Sequence, residues 1–441
     1  MTVREGWVWR AAPLFCTLLA ALLASPLLAA GPGPEGVWTG RWEREGSTLA
    51  VEMTFSRGAS GYEGSFASSQ LGVIGIPLSR IRFEPPALTW EIAGDETTAV
   101  FEGRMEGDTL AGRFREGAAS GTFTLTRGTS PPTPVREEEV TFANGPVTLS
   151  GAVVLPAGAG PFPGIVFLHG SGAEGRWASR SLAYEMARHG VAALIYDKRG
   201  VGRSTGDWRT AGFTELAGDA SAAIEALRSR PQVAAGRVGL YGHSQGGTIA
   251  PKVASENRQV AFVAAGAPAG VPMAELERYS LGSSLSLGAL PPAERTLAEG
   301  FVRAIVATAY EGAPRAEFDR VWQGVRDRPW AFEPPPASDS YWSFSRRIAD
   351  YDPLDAWRRV TVPALVLFGE EDERVPPRLS AARIAEAFLG AHGPRLDVVF
   401  FPLADHSYRL RPAEKGRFAW PKSAPGFPDR LIEWVLAVSK P

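Results

Sequence analysis

Cysteine is the scarcest functional residue in this chain of 441 residues, because only Cys16 is present and it lies inside the apolar N-terminal segment. If that segment is removed, the mature chain has no thiol, which excludes a disulfide, a thiolate nucleophile and a cysteine-based metal site. Histidine is scarce too, and no two histidines have the H-x-x-x-H or a similar ligand spacing. The five are His169, His189, His243, His392 and His406. The sequence therefore predicts a protein that needs neither a metal ion nor another cofactor.

An excess of charge of one sign is also lacking, since the formal net charge is -2. Such a balance supplies no global field that would favour nucleic acid or an anionic membrane as a partner. The composition, 44% hydrophobic and 21% charged, is typical of a globular protein. The length indicates two or three domains rather than one.

Long apolar runs are confined to the N-terminus, and no later stretch is long enough to span a bilayer. Residues 1–30 have the pattern of a secretory signal peptide: Arg4 and Arg10 flank the start, a leucine-rich stretch follows, and Ala29–Ala30 offers a cleavage site. The alternative is an uncleaved membrane anchor, because the stretch nearly reaches spanning length. We expect cleavage, and in either case a protein body that is exported, periplasmic or secreted.

Residues 33–128 have the pattern of a run of short strands. Between Leu49 and Phe55 apolar and polar residues alternate, which is the period of a half-buried strand. Turn residues separate similar runs at roughly ten-residue spacing, which is typical of a small antiparallel barrel or sandwich. The predicted strands are Leu49–Phe55, Tyr62–Phe66, Ile76–Phe83, Leu88–Ile92, Ala99–Met105, Leu110–Phe114 and Gly121–Leu125. We expect an accessory β domain, with ligand binding as the alternative.

A linker at residues 129–138 separates this region from a different pattern over residues 139–441. After a hairpin, short and fully apolar strands alternate with helical stretches, which predicts a mostly parallel sheet covered on both faces. The hairpin and the strands are Val140–Phe142, Leu149–Leu155, Ile165–Leu168, Ala192–Tyr196, Val238–Tyr241, Phe262–Ala265, Ala364–Phe368 and Val398–Phe401. About residues 269–350 the alternation stops, which predicts an inserted cap whose aromatic residues mostly pack its own core.

The strongest chemical signal is the sequence Gly-His-Ser-Gln-Gly at residues 242–246, which matches G-x-S-x-G between a predicted strand and a predicted helix. Glycines at both ends permit a sharp turn that lifts the hydroxyl of Ser244 clear of the sheet. Because a serine hydroxyl is a weak nucleophile at neutral pH, it needs a nearby base. Ser244 is therefore the predicted nucleophile.

His406 is the predicted base, because it follows the last core strand on a loop that can reach Ser244. The other histidines fit less well. His189 lies on a predicted helix, His392 lies in a polar turn, and His243 is adjacent to the serine, so that its side chain should point away from the hydroxyl.

The base needs a carboxylate that fixes its tautomer and stabilises the imidazolium. Asp372, just past the strand Ala364–Phe368, is the predicted partner. Glu371 and Glu373 are rivals, although acidic residues at such positions more often form a solvated loop face. We expect Asp405 to be structural.

Together these motifs resemble the α/β-hydrolase superfamily over residues 140–438, most of the mature chain. The sequences His-Gly-Ser-Gly, Asp-x-Arg-Gly-x-Gly-x-Ser, Gly-His-Ser-Gln-Gly-Gly and Gly-x-x-Asp-x-x-Val-Pro are similar to loops of exported bacterial esterases and serine-aminopeptidase-like hydrolases with a β-rich N-terminal domain. The resemblance implies the chain order Ser244, Asp372, His406 for a triad, and hydrolysis of small carboxylic esters. An exported serine peptidase and a non-catalytic binding protein remain alternatives, because the fold does not set the substrate.

The same resemblance places an oxyanion loop after the strand Ile165–Leu168. The expected donors are the backbone N–H groups of Ser171 and Gln245, with Gly172 as an alternative to Ser171. We expect His169 to brace this loop. A second glycine-rich loop, Asp197–Ser204, lacks the spacing of a phosphate-binding loop, and we interpret it as structural.

Overall fold

The computed structural model describes residues 33–94, 97–129, 135–389, 395–410 and 418–440. The predicted signal segment, His392 and half of the predicted linker, residues 130–134, lie outside these ranges. Sheet A contains β1 (Gly36–Arg44), β2 (Ser47–Gly58), β3 (Gly61–Ser68), β4 (Val73–Pro77), β5 (Ser79–Glu84), β6 (Ala87–Ala93), β7 (Thr98–Glu106), β8 (Thr109–Glu116) and β9 (Ala119–Gly128).

Sheet B contains β10 (Arg136–Asn144), β11 (Val147–Leu155), β12 (Phe162–Leu168), β13 (Ala192–Tyr196), β14 (Val233–His243), β15 (Val263–Gly266), β16 (Ala364–Gly369) and β17 (Leu396–Phe401). A two-stranded sheet pairs β18 (Arg409–Leu410) with β19 (Lys422–Ser423). The helices are α1 (Trp177–Arg188), α2 (Phe213–Arg228), α3 (Gln245–Glu256), α4 (Met273–Ser284), α5 (Pro292–Val306), α6 (Arg315–Val325), α7 (Ser340–Ile348), α8 (Pro353–Trp357), α9 (Pro377–Leu389) and α10 (Asp429–Val438).

Sheet A is antiparallel throughout, in the order β4-β3-β2-β1-β9-β8-β7-β6-β5, and it curls into a nearly closed barrel. Leu78 is the single residue that links the edge strands β4 and β5, and its N–H group donates to the carbonyl oxygen of Gly64 on β3 at 2.9 Å. The inward side chains of each strand fill the barrel with a largely aromatic core, in which the rings of Trp90 and Phe101 stack with centroids 5.1 Å apart. The interior is therefore a packed core.

Two details of sheet A differ from the sequence prediction. The stretch Ile76–Phe83, predicted as one strand, is divided between β4 and β5 at opposite edges of the sheet. Pro77 has no N–H group to continue the ladder, and the pairing of β5 shifts register between Ser79 and Arg82. The strand β1 was not among the predicted strands, although its alternating Trp38 and Trp42 are buried in the barrel.

Sheet B has the order β10-β11-β13-β12-β14-β15-β16-β17. The strands β10, β11 and β13 are antiparallel neighbours, and all pairs from β13 to β17 are parallel. Helices α1 and α10 cover one face, while α2, α3 and α9 cover the other, so that two hydrophobic cores sandwich the sheet. The predicted fold class, a mostly parallel α/β sheet preceded by an antiparallel barrel-like domain, is confirmed.

Four helices, α4 to α7, lie between β15 and β16, within the stretch predicted as a cap. Their apolar residues form a core around Phe301, which is fully buried and whose ring contacts those of Phe318, Trp322 and Trp330. In the described part of the chain, no helix is both long and apolar enough to cross a membrane.

The segment that precedes α10 connects the two sheets. Trp420 packs against the core of the barrel, and its indole nitrogen donates to the carbonyl oxygen of Ser47 at 3.3 Å. The guanidinium group of Arg44 lies 3.9 Å from the ring centroid of Phe418. Strand β10 begins at Arg136, inside the stretch predicted as a linker.

Candidate active site

Ser244 lies at the sharp turn between β14 and α3, in a backbone conformation that is rare for a residue with a side chain. Its φ is 57° and its ψ is -117°, which costs of order 1–3 kcal/mol and persists only where the surroundings enforce it. The N–H group of Ser244 donates to the carbonyl oxygen of Gly266 at 2.8 Å, and its carbonyl accepts from Thr248 of α3 at 2.9 Å. Neighbouring strand and helix therefore hold the strained turn from both sides.

The glycines of the turn are required by close backbone approach. A Cβ atom on Gly242 would lie 2.2 Å from the carbonyl oxygen of Gly246. One on Gly246 would lie 2.7 Å from the carbonyl oxygen of His169, at the end of β12. Any larger residue would push the turn away from the sheet.

The structure brings the three predicted residues Ser244, His406 and Asp372 together. The Nε2 atom of His406 lies 2.9 Å from the hydroxyl oxygen of Ser244, and its Nδ1 atom lies 2.8 Å from a carboxylate oxygen of Asp372. Because an ionised carboxylate can only accept, Nδ1 carries a hydrogen, and Nε2 is left to accept from the serine hydroxyl. This arrangement can remove the proton of the hydroxyl and stabilise the resulting imidazolium.

Asp372 is held rigidly behind the imidazole, with its side chain fully buried. Its second carboxylate oxygen accepts from the N–H groups of Arg374 and Val375, both at 2.8 Å. The hydroxyl of Tyr279, on the cap helix α4, donates to the backbone carbonyl of Asp372 at 2.7 Å. Of its predicted rivals, Glu371 is exposed on the loop surface.

The loop that carries His406 is held in place by His243 and Asp405, which are adjacent in sequence to Ser244 and His406. The ring nitrogen Nε2 of His243 donates to the backbone carbonyl of His406 at 2.8 Å. Burial, and secondarily the charge of a protonated His406, lower the pKa of His243 to about 4. Asp405 accepts from the N–H groups of Ser407 and Arg409 at 2.9 and 2.8 Å, which closes a tight turn and agrees with its expected structural role.

The remaining described histidines lie elsewhere. His189 is at the end of α1, where its ring is paired with the carbonyl oxygen of Glu185. His169 is buried, and its ring donates to the carbonyl oxygen of Tyr196 at 2.5 Å. Burial and the charge of Lys198 lower the pKa of His169 to about 3, so that it stays neutral beside the loop it precedes.

The predicted oxyanion donors lie on two elements at the same edge of sheet B. Gln245 is the first residue of α3, where a backbone N–H group has no partner within its own helix. Ser171 lies on the loop that leaves β12, one residue after Gly170, whose N–H group is bound to Glu174 at 2.7 Å. The positive end of the α3 dipole adds to the attraction for a developing oxyanion.

The loop after β13 contains a residue that the sequence analysis did not single out. Asp197 forms an ion pair with Arg176 at 3.1 Å, and Arg199 forms one with Asp219 at 2.6 Å, which fits the structural role expected for this loop. Lys198, between them, points towards the candidate site instead. A lysine in a glycine-rich loop has no sequence pattern that would have distinguished it from a surface residue.

Among the described residues, no group of three or more histidine, cysteine, aspartate or glutamate side chains is arranged to hold a metal ion. The functional side chains instead follow the carboxyl ends of the parallel strands β12, β14, β16 and β17, the edge where α/β sheets bind ligands.

The strand order, the turn at Ser244 and the helical insertion after β15 define an α/β-hydrolase. More particularly, the chain belongs to the family described as serine aminopeptidase, S33, whose profile matches residues 161–390. That match includes Ser244 and Asp372 and ends before His406.

Two relatives share part of the sequence. The chain is 28% identical over 289 residues to the esterase EstD of Thermotoga maritima, over 62% of each protein, so the match spans less than two thirds of that esterase. It is 29% identical over 218 residues to a non-heme chloroperoxidase of Burkholderia pyrrocinia, over 48% of this chain and 75% of the relative. The solved esterase Pf2001 of Pyrococcus furiosus is 15% identical, with a TM-score of 0.42 over 70% of this chain and 93% of that one.

Proposed function

We propose that this protein is a serine hydrolase that cleaves small carboxylic esters by an acyl-enzyme mechanism. The observation that carries the proposal is the continuous path from the Ser244 hydroxyl to His406 at 2.9 Å, and from His406 to Asp372 at 2.8 Å. Both distances are within hydrogen-bonding reach, which is the geometric requirement for a nucleophile and its general base.

In the first step, His406 takes the proton of Ser244 as the oxygen attacks the ester carbonyl. The tetrahedral oxyanion is bound by the backbone N–H groups of Ser171 and Gln245. The imidazolium then gives its proton to the leaving alcohol, and an acyl group remains on Ser244. In the second step, a water molecule gives a proton to His406 and attacks the acyl carbonyl. The imidazolium then returns this proton to the oxygen of Ser244 as the bond to the acyl group breaks, which releases the acid and restores the serine.

A peptidase is the second candidate, favoured by the family description of serine aminopeptidase. Such an enzyme needs acidic groups that hold the amino terminus of its substrate, and the candidates in the cap are the four glutamates of α4 and α5, Glu275, Glu277, Glu294 and Glu299. Glu275 is paired with Arg383 at 3.1 Å, and Glu294 is paired with Arg328 at 2.8 Å. These two are therefore already engaged with basic residues of the protein.

Glu277 needs separate consideration, because its side chain is half-buried between α4 and α7. Tyr341 of α7 packs across it and donates its hydroxyl to the carboxylate at 2.6 Å. Burial raises the pKa of Glu277, and the hydroxyl of Tyr341 already occupies one oxygen of the carboxylate that would bind an ammonium group. This supports an ester as substrate over a peptide with a free amino terminus.

The proposal is tested with a panel of p-nitrophenyl acyl esters and aminoacyl p-nitroanilides on the purified mature protein. We expect turnover of short esters and much slower turnover of the anilides. The Ser244→Ala variant should lose at least about 10³-fold in kcat with an unchanged thermal midpoint. Efficient anilide cleavage would favour the peptidase, and ester turnover retained by Ser244→Ala would reject the mechanism.

We also propose that the protein acts outside the cytoplasm, as residues 1–30 predict. The mass of the protein recovered from its native cells tests this. A mature chain that begins near Gly31 in the exported fraction is expected, and a full-length chain in the cytoplasm would contradict it.

A further inference from the structure

Lys198 is an almost completely buried lysine, 2% exposed, on the loop that follows β13. Its ammonium group donates to the carbonyl oxygens of Gly170 at 2.7 Å and Gly172 at 3.0 Å, and to the side-chain oxygen of Gln245 at 2.9 Å. An ammonium group has three donors, so these contacts engage all of them. Because burying such a group is costly, a lysine at this position calls for an explanation beyond packing.

The contact with Gly170 fixes the direction of one predicted oxyanion donor. The carbonyl of Gly170 and the N–H group of Ser171 belong to the same peptide unit, and in a trans peptide they point in opposite directions. The cis bonds of the described chain lie elsewhere, all before proline. When Lys198 draws the carbonyl towards itself, the N–H group of Ser171 is therefore turned to the far side of the loop.

The other end of Gly170 is also held, since its own N–H group donates to the carboxylate of Glu174 at 2.7 Å. Lys198 and Glu174 thus fix consecutive peptide units of a glycine-rich loop that would otherwise sample many conformations. The second contact of Lys198, with the carbonyl of Gly172, extends this control across Ser171.

The third contact reaches the residue after the nucleophile. The side chain of Gln245 accepts from Lys198, while the backbone N–H group of Gln245 begins α3 beside Ser244. One ammonium group therefore binds both the loop after β12 and the first residue of α3, the two elements that supply the predicted donors. Its positive charge also polarises the Gly170 peptide, which makes the N–H group of Ser171 a stronger donor.

We propose that Lys198 is a positioning residue for the oxyanion hole, which orients the N–H groups of Ser171 and Gln245 towards the acyl carbonyl. This inference rests on the proposed serine hydrolase function. Since an oxyanion exists only in the transition state and the tetrahedral intermediate, loss of Lys198 should lower kcat and leave KM nearly unchanged.

The main test compares Lys198→Met, which keeps the aliphatic length, with wild type on a p-nitrophenyl ester. We expect kcat to fall about 10²-fold, the lower end of the effect of losing one oxyanion donor, with KM changed less than about threefold. Binding of a trifluoromethyl ketone, whose adduct with serine carries an oxyanion, should weaken by a similar factor. A merely structural lysine would not couple kcat to the affinity of the ketone.

The matched control is Lys252→Met near the C-terminal end of α3, where the lysine pairs with Glu256 at 2.6 Å. That variant should keep wild-type kcat, KM and ketone affinity. If Lys198→Met does not fold, Gln245→Met decides, because it removes one contact of Lys198 and keeps the backbone donor. About a tenfold lower kcat with a steady KM is expected for it.

Wild-type kcat and ketone affinity in Lys198→Met, or in Gln245→Met where the first variant does not fold, would overturn the assignment of Lys198 alone. A wild-type protein that neither hydrolyses esters nor binds the ketone would overturn the proposed function, and this inference with it. The two failures are thereby distinguished by the wild-type measurement.

Discussion

The indole rings of Trp42 and Trp420 lie with their centroids 6.2 Å apart, although one belongs to the barrel of sheet A and the other to the segment before α10. That segment pairs with the residues that follow His406, because β19 is hydrogen-bonded to β18. The N–H group of Arg409 on β18 in turn donates to Asp405 at 2.8 Å. The β domain is therefore connected, through Trp420, to the loop that carries the base.

Replacing Trp420 with alanine should destabilise the protein and lower kcat. Removal of a partly buried indole is expected to cost about 2 kcal/mol, less than a fully buried aromatic residue. Thermal unfolding and ester kinetics measure the two effects. Leu389→Ala is the control, since Leu389 is 66% exposed and should tolerate the change. A Trp420→Ala protein with wild-type stability and kcat would show that the contact between the domains contributes neither to stability nor to catalysis.

Replacing Asp372 with asparagine should lower kcat about 10³- to 10⁴-fold, because an amide no longer stabilises the imidazolium and favours the wrong tautomer of His406. Asp405→Asn is the matched control one residue from the base. An asparagine there keeps the oxygen that accepts from Ser407 and Arg409, so most activity should remain. Steady-state ester kinetics measure both variants. A larger loss of kcat in Asp405→Asn than in Asp372→Asn would contradict the assignment of Asp372.

Replacing His243 with phenylalanine should lower kcat about tenfold without preventing folding. The ring keeps much of the packing against His406 but loses the hydrogen bond to its backbone carbonyl, which holds the base in place. Ester kinetics at saturating substrate measure the effect. If His243→Phe has wild-type kcat, then the loop of His406 is fixed well enough by Asp405 and β18.

The pH dependence of activity should report the loss of the proton from the ammonium group of Lys198. Burial lowers its pKa from 10.5 to about 8, while the nearby Glu174 acts in the opposite direction. His169, which also faces it, is neutral throughout this range. Because neutral lysine has only two donors, kcat should fall as pH rises through about 8. The decline should be absent from the residual activity of Lys198→Met.

Stability should change in the opposite direction over the same window. Between pH 8 and 10.5 the unfolded chain holds the proton of Lys198 and the folded chain does not. Since the unfolded state then binds more protons, the contribution of this group to the free energy of unfolding rises with pH. The contribution of Lys198 is measured as the difference in the free energy of unfolding between wild type and Lys198→Met. If this contribution fell with rising pH together with kcat, the assignment of Lys198 would be contradicted.

Much of the fold could be predicted from local pattern. The fully apolar strands of sheet B stand out because both of their faces are buried. In sheet A the alternation of Leu49 to Phe55 was equally clear. Strand β1 was harder to detect, because Gly36 and Gly40 interrupt its apolar positions. A Cβ atom on Gly40 would lie 2.1 Å from the carbonyl oxygen of Thr124, a contact across the sheet that the sequence does not reveal.

The candidate site could be predicted in part, for a related reason. Ser244, Asp372 and His406 each follow a recognisable strand, so their order along the chain was visible. The roles of Lys198 and Glu277 depend on which distant segment packs against them. Lys198 meets the loop after β12, and Glu277 meets Tyr341 of α7, and neither partner is fixed by local sequence.

The most direct test of the account is covalent labelling with a fluorophosphonate, followed by peptide mass mapping. The nucleophile activated by His406 should react at its oxygen, so the account predicts a single adduct on the peptide that contains Ser244, and none in the Ser244→Ala variant. An adduct on another residue, or an intact wild-type protein that does not react, would contradict it.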